Sequence, residues 1–297
     1  MTARSSTVAR RANAAAIFAV AVTVLSWASA FPLIRVGMRH LGPLELAAAR
    51  FAVASVLALA WLAIRRPPPP TRGDAVRFLI CGLIGISVYN GLLNQGERTV
   101  SAGAAAFIVN VAPILTAVLA TVFLRERFSA WGWGGALISF AGVGLIALSQ
   151  PGGVAFGGGA SLVAGAALCT AIYFVLQRPL VSRYGALACT AYTLLAGALF
   201  LLPFLPGALP QLAAPGGARA AAAVVALGVF PAAIGYAAWT FALGRFGAAR
   251  AANFLYLVPP LAALFGFATI GESLSALTLV GGAIAILGVV IVNSYGR

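Results

Sequence analysis

The sequence predicts an all-α integral membrane protein of ten transmembrane helices, built as two inverted five-helix repeats with both termini in the cytoplasm. Three observations carry that prediction. The chain of 297 residues is 62% hydrophobic and 8% charged, with a mean hydropathy of +1.03, whereas a soluble domain is nearer a quarter charged because water must solvate its surface. The second half repeats the first at one fixed offset: Trp27 answers to Tyr173, Gly82 to Gly228, Pro113 to Pro259, Glu126 to Glu272, Gly135 to Gly281 and Gly142 to Gly288. Arginine, finally, alternates in density from one connecting segment to the next, as membrane orientation requires.

A bilayer core takes about 20 apolar residues of helix. Cutting at charges, prolines and glycine clusters places helices at 14–37, 43–64, 75–95, 99–124, 130–149, 159–178, 186–206, 220–243, 248–270 and 275–295. They fall into a first repeat over 14–150 and a second over 159–296, separated by the glycine-rich 151–159. Five is an odd number of crossings, so the second copy enters the membrane upside down.

The first helix follows Arg10 and Arg11 and contains Ala28-Ser29-Ala30, which has the form of a signal-peptide cleavage site. Cleavage there would delete the first helix together with the Trp27–Tyr173 match, so the segment is expected to remain as a span. The second helix opens at Pro43 and stops at the Arg65 to Pro70 stretch. The third is bounded at its far end only by Glu97 and Arg98. The fourth ends at Arg125 to Arg127, and the fifth begins after Ser129. The remaining five repeat this order.

With the N-terminus inside, the cytoplasmic segments hold Arg4, Arg10, Arg11, Arg65, Arg66, Arg72, Arg77, Arg125, Arg127, Arg178, Arg183, Arg245, Arg250 and Arg297. The other side holds Arg35, Arg39, Arg98 and Arg219. The excess fixes both termini in the cytoplasm. It also accounts for the net charge of +14, which comes from 19 basic residues that are all arginine. No basic helix or aromatic-interleaved groove points to nucleic acid.

Catalytic chemistry finds no materials. His40 is the only histidine, and Cys81, Cys169 and Cys189 sit in apolar runs without metal-binding spacing. No metal and no cofactor is expected, and the chain does not read as an enzyme. A structural or receptor-like membrane protein would not need a duplicated, kinked frame.

Polar residues inside the spans are few. Asn90 and Asn94 share a face of the third helix, and Asn110 precedes Pro113 by about one turn. Tyr236, Thr240 and Tyr256 stand at the equivalent positions of the second repeat, with Trp239 and Asn253 beside them. Each side chain alone reads equally well as interhelical glue. Together with Trp27 and Tyr173 they suit a substrate-binding cavity with aromatic walls and neutral hydrogen-bonding groups. Pro113 in the fourth helix, and Pro259 and Pro260 in the ninth, mark kinks at matching depth, either for packing or as hinges around that cavity.

The five acids, Glu45, Asp74, Glu97, Glu126 and Glu272, lie at or near helix ends. Helix N-terminal pairing at helices five and ten is the reading for Glu126 and Glu272. No carboxylate or histidine sits at depth to carry protons, which favours facilitated diffusion. Arg50 is the one ionisable group well inside a span. It either reaches outward or to Glu45, or it attracts a substrate carboxylate. Gly135 and Gly142, like Gly281 and Gly288, line one helix face, which serves packing between repeats or a dimer interface.

The ordered set of Trp27 before Phe31-Pro32, Pro43 before Ala49-Arg50-Phe51, Pro113, Glu126, Gly135 and Gly142 recurs in part as Pro259, Glu272, Gly281 and Gly288. In this the chain resembles the EamA-type branch of the drug/metabolite transporter superfamily, and within it the YddG-type amino-acid exporters. The resemblance implies a multi-pass carrier of the bacterial inner membrane, working as a monomer or homodimer surrounded by lipid. Its small-molecule substrate would be an amino acid or a similar amphipathic metabolite, exported by alternating access. A drug or nucleotide-sugar carrier of the same superfamily is the alternative.

Overall fold

The computed structural model describes residues 2–96, 99–100, 102–150, 153–154, 156, 158–270 and 274–296. The expectations for Glu97, Arg98, Glu272 and Arg297 lie outside these, as do the side chains of Arg4, Arg10, Arg11, Phe31, Pro32 and Arg35. Among the described residues ten helices follow one another. They are α1 (Thr2–Gly37), α2 (Pro43–Arg65), α3 (Arg72–Gly96), α4 (Ala104–Phe123), α5 (Ala130–Leu148), α6 (Ala160–Tyr184), α7 (Ala186–Ala213), α8 (Gly217–Phe246), α9 (Ala248–Ala268) and α10 (Ala276–Tyr295). Nine of these are long and apolar enough to cross a bilayer, and α1 adds the apolar stretch Ala14–Ala30.

Local chemistry sets most boundaries. Thr71, Ser129 and Ser275 cap α3, α5 and α10, each side chain accepting the backbone N–H three residues on. Gly185 and Gly247, with φ of +77° and +82°, turn the chain from α6 into α7 and from α8 into α9. Several boundaries differ from those expected: α1 begins at Thr2 rather than at 14, and two helix ends move further. Arg178 does not end α6: its side chain bonds Ser182 one turn on and faces Glu126, and the helix runs on to Tyr184. Likewise α7 runs past 206 through a 3-10 turn at Leu202–Phe204 to Ala213, which shortens the next connection to 214–216.

The two repeats are related by a twofold axis that can be read from the packing. In α5 and α10, Gly135 faces Gly288 and Gly142 faces Gly281; a Cβ on Gly142 would lie 2.5 Å from the Gly281 carbonyl oxygen. Between these pairs Ser139 Oγ donates to the carbonyl of Ala285, the residue 146 positions on and hence its own counterpart, at 3.0 Å. Contacts of i with the counterpart of j, and of j with the counterpart of i, are the mark of twofold symmetry. The helices run antiparallel: Ser129 at the start of α5 bonds the carbonyl of Tyr295 at the end of α10, and Ser149 bonds Thr278 at the other end. A twofold perpendicular to antiparallel spans lies along the membrane plane, which makes the repeat inverted.

The same exchange recurs elsewhere. Gly82 of α3 packs on the backbone of Ala196 and Gly197 in α7, while its counterpart Gly228 of α8 packs on Arg50 and Val53 in α2. Both third helices carry a π-helical segment there, Leu83–Val88 and Gly228–Gly235. Both fourth helices are interrupted. The fourth breaks between Ala102–Val109 and Ala112–Phe123, just ahead of Pro113, and the ninth at the 3-10 turn Phe254–Leu257, just ahead of Pro259 and Pro260.

Candidate functional site

The aromatic residues at the junction of the repeats form one cluster. The Trp27 ring centroid lies 5.5 Å from Tyr236 and 5.6 Å from Trp239. Tyr236 in turn lies 6.4 Å from Tyr173 and 6.2 Å from Phe51, and Phe174 packs 4.3 Å from Trp239. Offset and edge-on ring contacts of this kind add to the burial of apolar area.

The inverted symmetry explains why these residues meet. Trp27 Nε1 donates to the carbonyl of Pro231 at 3.2 Å, within the π segment of α8. Its counterpart Tyr173 packs across Gly85, the counterpart of Pro231, within the π segment of α3. A π turn widens the helix and misaligns its carbonyls. In α8, Trp27 and Thr23 take up two of them, Thr23 Oγ1 reaching the Gly235 carbonyl at 3.5 Å.

A second group lies toward the end of the bundle where α2 begins and α3 ends. Arg50 Nη2 donates to Asn90 Oδ1 at 2.5 Å, and Asn90 Nδ2 donates to the Ile86 carbonyl at 2.6 Å. The guanidinium carbon lies 4.9 Å from the Phe51 ring centroid, so Phe51 connects Arg50 to Tyr236. Asn94 Nδ2 donates to the carbonyl of Pro43 at 3.2 Å, fastening the start of α2.

The remaining amides are held locally. Asn110 bonds the Ala106 carbonyl at the break in α4, and Asn253 bonds the Ala249 carbonyl in α9. Tyr256 packs between α5 and α10 against Val143, Ala285 and Val289, away from the Trp27 group. Among the candidate residues, Arg50 Nε, Trp239 Nε1, Asn253 Oδ1 and the hydroxyls of Tyr173 and Tyr256 are buried without a hydrogen-bond partner. Buried polar groups of native proteins are nearly always paired, so each invites an explanation in function.

The rings fill the space that the sequence suggests as a cavity. The gap beside Trp239, lined by Val20, Thr23, Val24, Phe254 and Leu255, leaves no room for even a water-sized guest, whereas small-molecule pockets hold roughly 300–1,000 Å³. Beside the rings runs a polar row of which the sequence pointed only to Thr240: Gln177, fully buried, bonds Thr240, and Thr190 bonds Thr240 at 3.0 Å. Its signal was present, since Gln177 lies one turn beyond Tyr173 on the same face. Placing the helix end at Arg178 moved it to a boundary.

The end of the bundle that carries the 66–71, 185 and 247 turns is tied across elements. Asp74, nearly fully buried, pairs with Arg183 and accepts from the Tyr184 hydroxyl at 2.8 Å and from Thr71 Oγ1 at 3.1 Å. Arg77 stands 3.6 Å from its other oxygen. Glu126 takes a different place from the one expected. It accepts from the Ala248 and Ala249 amides at 2.9 and 3.0 Å, capping α9 of the other repeat rather than its neighbour α5, with Arg178 at 3.8 Å.

The sequence pattern of the EamA-like transporter family matches residues 14–148 and 157–294, both repeats in turn. The chain is 39% identical to a "Probable terminal-alkyne amino-acid exporter" of Streptantibioticus cattleyicolor, covering 94% of this chain and 93% of that one. It is 35% identical to an uncharacterised transporter, YdfC, of Bacillus subtilis over 89% of this chain and 86% of that protein. An uncharacterised transporter of Archaeoglobus fulgidus is 32% identical over 92% of this chain and 96% of its own length. A solved crystal structure at 20% identity superposes with a TM-score of 0.80, covering 96% of this chain and 98% of its own, which establishes likeness of fold.

Proposed function

The chain belongs to the EamA-like transporter family, and from that premise we propose that it exports amino acids or similar small amphipathic metabolites across a bacterial inner membrane by alternating access. Both termini are read as cytoplasmic, on the strength of arginine placement. The observation that carries the reading is the aromatic cluster at the crossing of the two repeats. Trp27 and Tyr173 come from the first helix of each half and Tyr236 and Trp239 from the third helix of the second, so any movement of one repeat against the other must rearrange the contacts of Trp27. A cluster at that place meets the solute in both orientations of the carrier. The name carried by the Streptantibioticus relative supports an amino acid as the solute.

Asn90, Asn94, Asn110, Asn253 and Tyr256 are assigned to the same path, with the orphaned atoms of Asn253, Tyr256 and Trp239 available to a passing solute. The breaks ahead of Pro113, Pro259 and Pro260 are assigned as hinges. Transport runs downhill on the solute gradient, because moving a proton through the membrane needs a titratable group at depth. Purified protein in liposomes should equilibrate radiolabelled L-phenylalanine or a terminal-alkyne amino acid at the same rate with or without an imposed pH gradient. Accumulation above the outside concentration, abolished by a protonophore, would replace the facilitative mechanism with proton coupling. Passage of organic cations or nucleotide sugars but of no amino acid would replace the substrate class.

A further inference from the structure

We propose that Arg50 is the anchor for a substrate carboxylate, and that the solute must therefore bear a free carboxylate beside an apolar or aromatic side chain. The inference rests on the carrier reading above and narrows its substrate. Arg50 lies about 10 Å along α2 from Pro43, at 1.5 Å of rise per residue, within a segment long and apolar enough to span the membrane. A guanidinium at such depth is costly unless it is paired or performs a task.

Its partners in the protein are neutral. Asn90 Oδ1 receives Nη2, the Phe51 ring lies against the guanidinium, and Nε is buried without a hydrogen-bond partner. Among the described residues the ion pairs are Arg77–Asp74, Arg183–Asp74 and Arg178–Glu126, so no described carboxylate neutralises Arg50. Glu45 lies beside Gly42 and Gly207 instead.

The inverted repeat supplies a control inside the same molecule. The counterpart of Arg50 is Ala196, which packs on Gly82 just as the Arg50 backbone packs on Gly228. One crossing is thus made with a methyl group and the other with an arginine, so helix packing does not require the guanidinium. The counterpart of Asn90 is Tyr236, which belongs to the aromatic cluster. From Arg50 the path through Phe51 to Tyr236 and Trp27 is a continuous row of ring contacts. A carboxylate on Arg50 would set an attached apolar group toward those rings. Arginine suits that task because its planar fork matches a carboxylate with two parallel hydrogen bonds.

Ligand binding by the whole purified protein, read by quenching of tryptophan fluorescence, tests this without assuming transport. The probes are L-phenylalanine and 3-phenylpropionate, which carry the carboxylate, and phenylalaninamide and phenethylamine, which do not. The two acids should bind and the two amines should bind at least about tenfold more weakly, the loss of one charge-assisted contact. Arg50→Gln should weaken the acids by a similar factor, and Arg50→Lys by less. Asn90→Asp keeps the guanidinium paired and guards against a folding defect in Arg50→Gln; it should abolish acid binding by placing a fixed carboxylate where the ligand's belongs. Equal binding of acids and amines by the unaltered protein, or acid binding that survives Asn90→Asp, overturns the proposal. Failure of liposomes to pass any amino acid, with the acid-over-amine preference intact, would defeat the export reading and leave the carboxylate anchor standing.

Discussion

The two repeats share a frame and differ in what they mount on it. At the frame positions the residues are the same or nearly so. Gly135, Gly142, Gly281 and Gly288 meet across the twofold, Gly82 and Gly228 each cross a second helix, Ser129 and Ser275 cap, and Pro113 and Pro259 follow breaks. At the positions proposed for the solute path the residues diverge. Arg50 stands against Ala196, Asn90 against Tyr236, Asn110 against Tyr256 and Trp27 against Tyr173. Close backbone approach tolerates almost no substitution, because interiors are packed like crystals. The contents of a binding path face no such constraint. The difference separates the positions that hold the molecule together from those proposed above to meet its solute.

The largest way to break this division is at the twofold. A side chain at Gly142 would drive its Cβ to 2.5 Å from the backbone of Gly281 and Ala285, whereas Gly134, about two turns away, has nothing within 4 Å. Gly142→Leu should cost about 3 kcal/mol or more through forced separation of the helices. No monodisperse protein should then emerge from size-exclusion chromatography of the detergent extract, while Gly134→Ala should run as the unaltered protein does. A well-folded Gly142→Leu protein would show that the crossing is not what fixes the frame.

A smaller effect is expected where one repeat caps the other. Glu126→Ala removes both acceptors from the Ala248 and Ala249 amides, a loss of about 1–2 kcal/mol. Thermal unfolding should shift down by several degrees, with Glu126→Gln in between. The smallest effect sharpens the comparison from the other direction. Arg125 ends α4 with φ of +53°, a conformation that glycine adopts freely, and the second repeat has Gly271 at that position. Arg125→Gly should raise stability by about 0.5 kcal/mol in the same measurement; a loss instead would assign the arginine a structural contact.

Helix number, repeat length and the sites of the two breaks were legible because hydropathy, repetition and proline are written directly in residue identity. The π segments were not. Leu83–Val88 contains no residue type that demands a π turn, which arises from Tyr173 lying over Gly85 and Gly82 lying against α7, contacts made only by the folded whole. The site was legible as a set of residue types and partly as a place. Trp27, Tyr173, Tyr236 and Trp239 gather in one cluster, whereas Tyr256 lies against α5 and α10, and the depth of a residue in a span says nothing about which neighbours its face meets. Glu126 shows the same limit, since proximity in sequence pointed to α5 while the fold brought α9 closer.

The Asp74 cluster has no image on the other side of the twofold. Ala220, Gly37, Met38 and Gly217 occupy the positions equivalent to Asp74, Arg183, Tyr184 and Thr71. A frame with perfect inverted symmetry would give an inward-open and an outward-open carrier the same free energy, and a resting population split evenly between them. Under the alternating access proposed above, ties around Asp74 with no counterparts at the equivalent positions would remove that degeneracy. Each tenfold bias between the states corresponds to about 1.4 kcal/mol, so a handful of hydrogen bonds around one carboxylate would be enough to decide which mouth such a carrier keeps shut at rest.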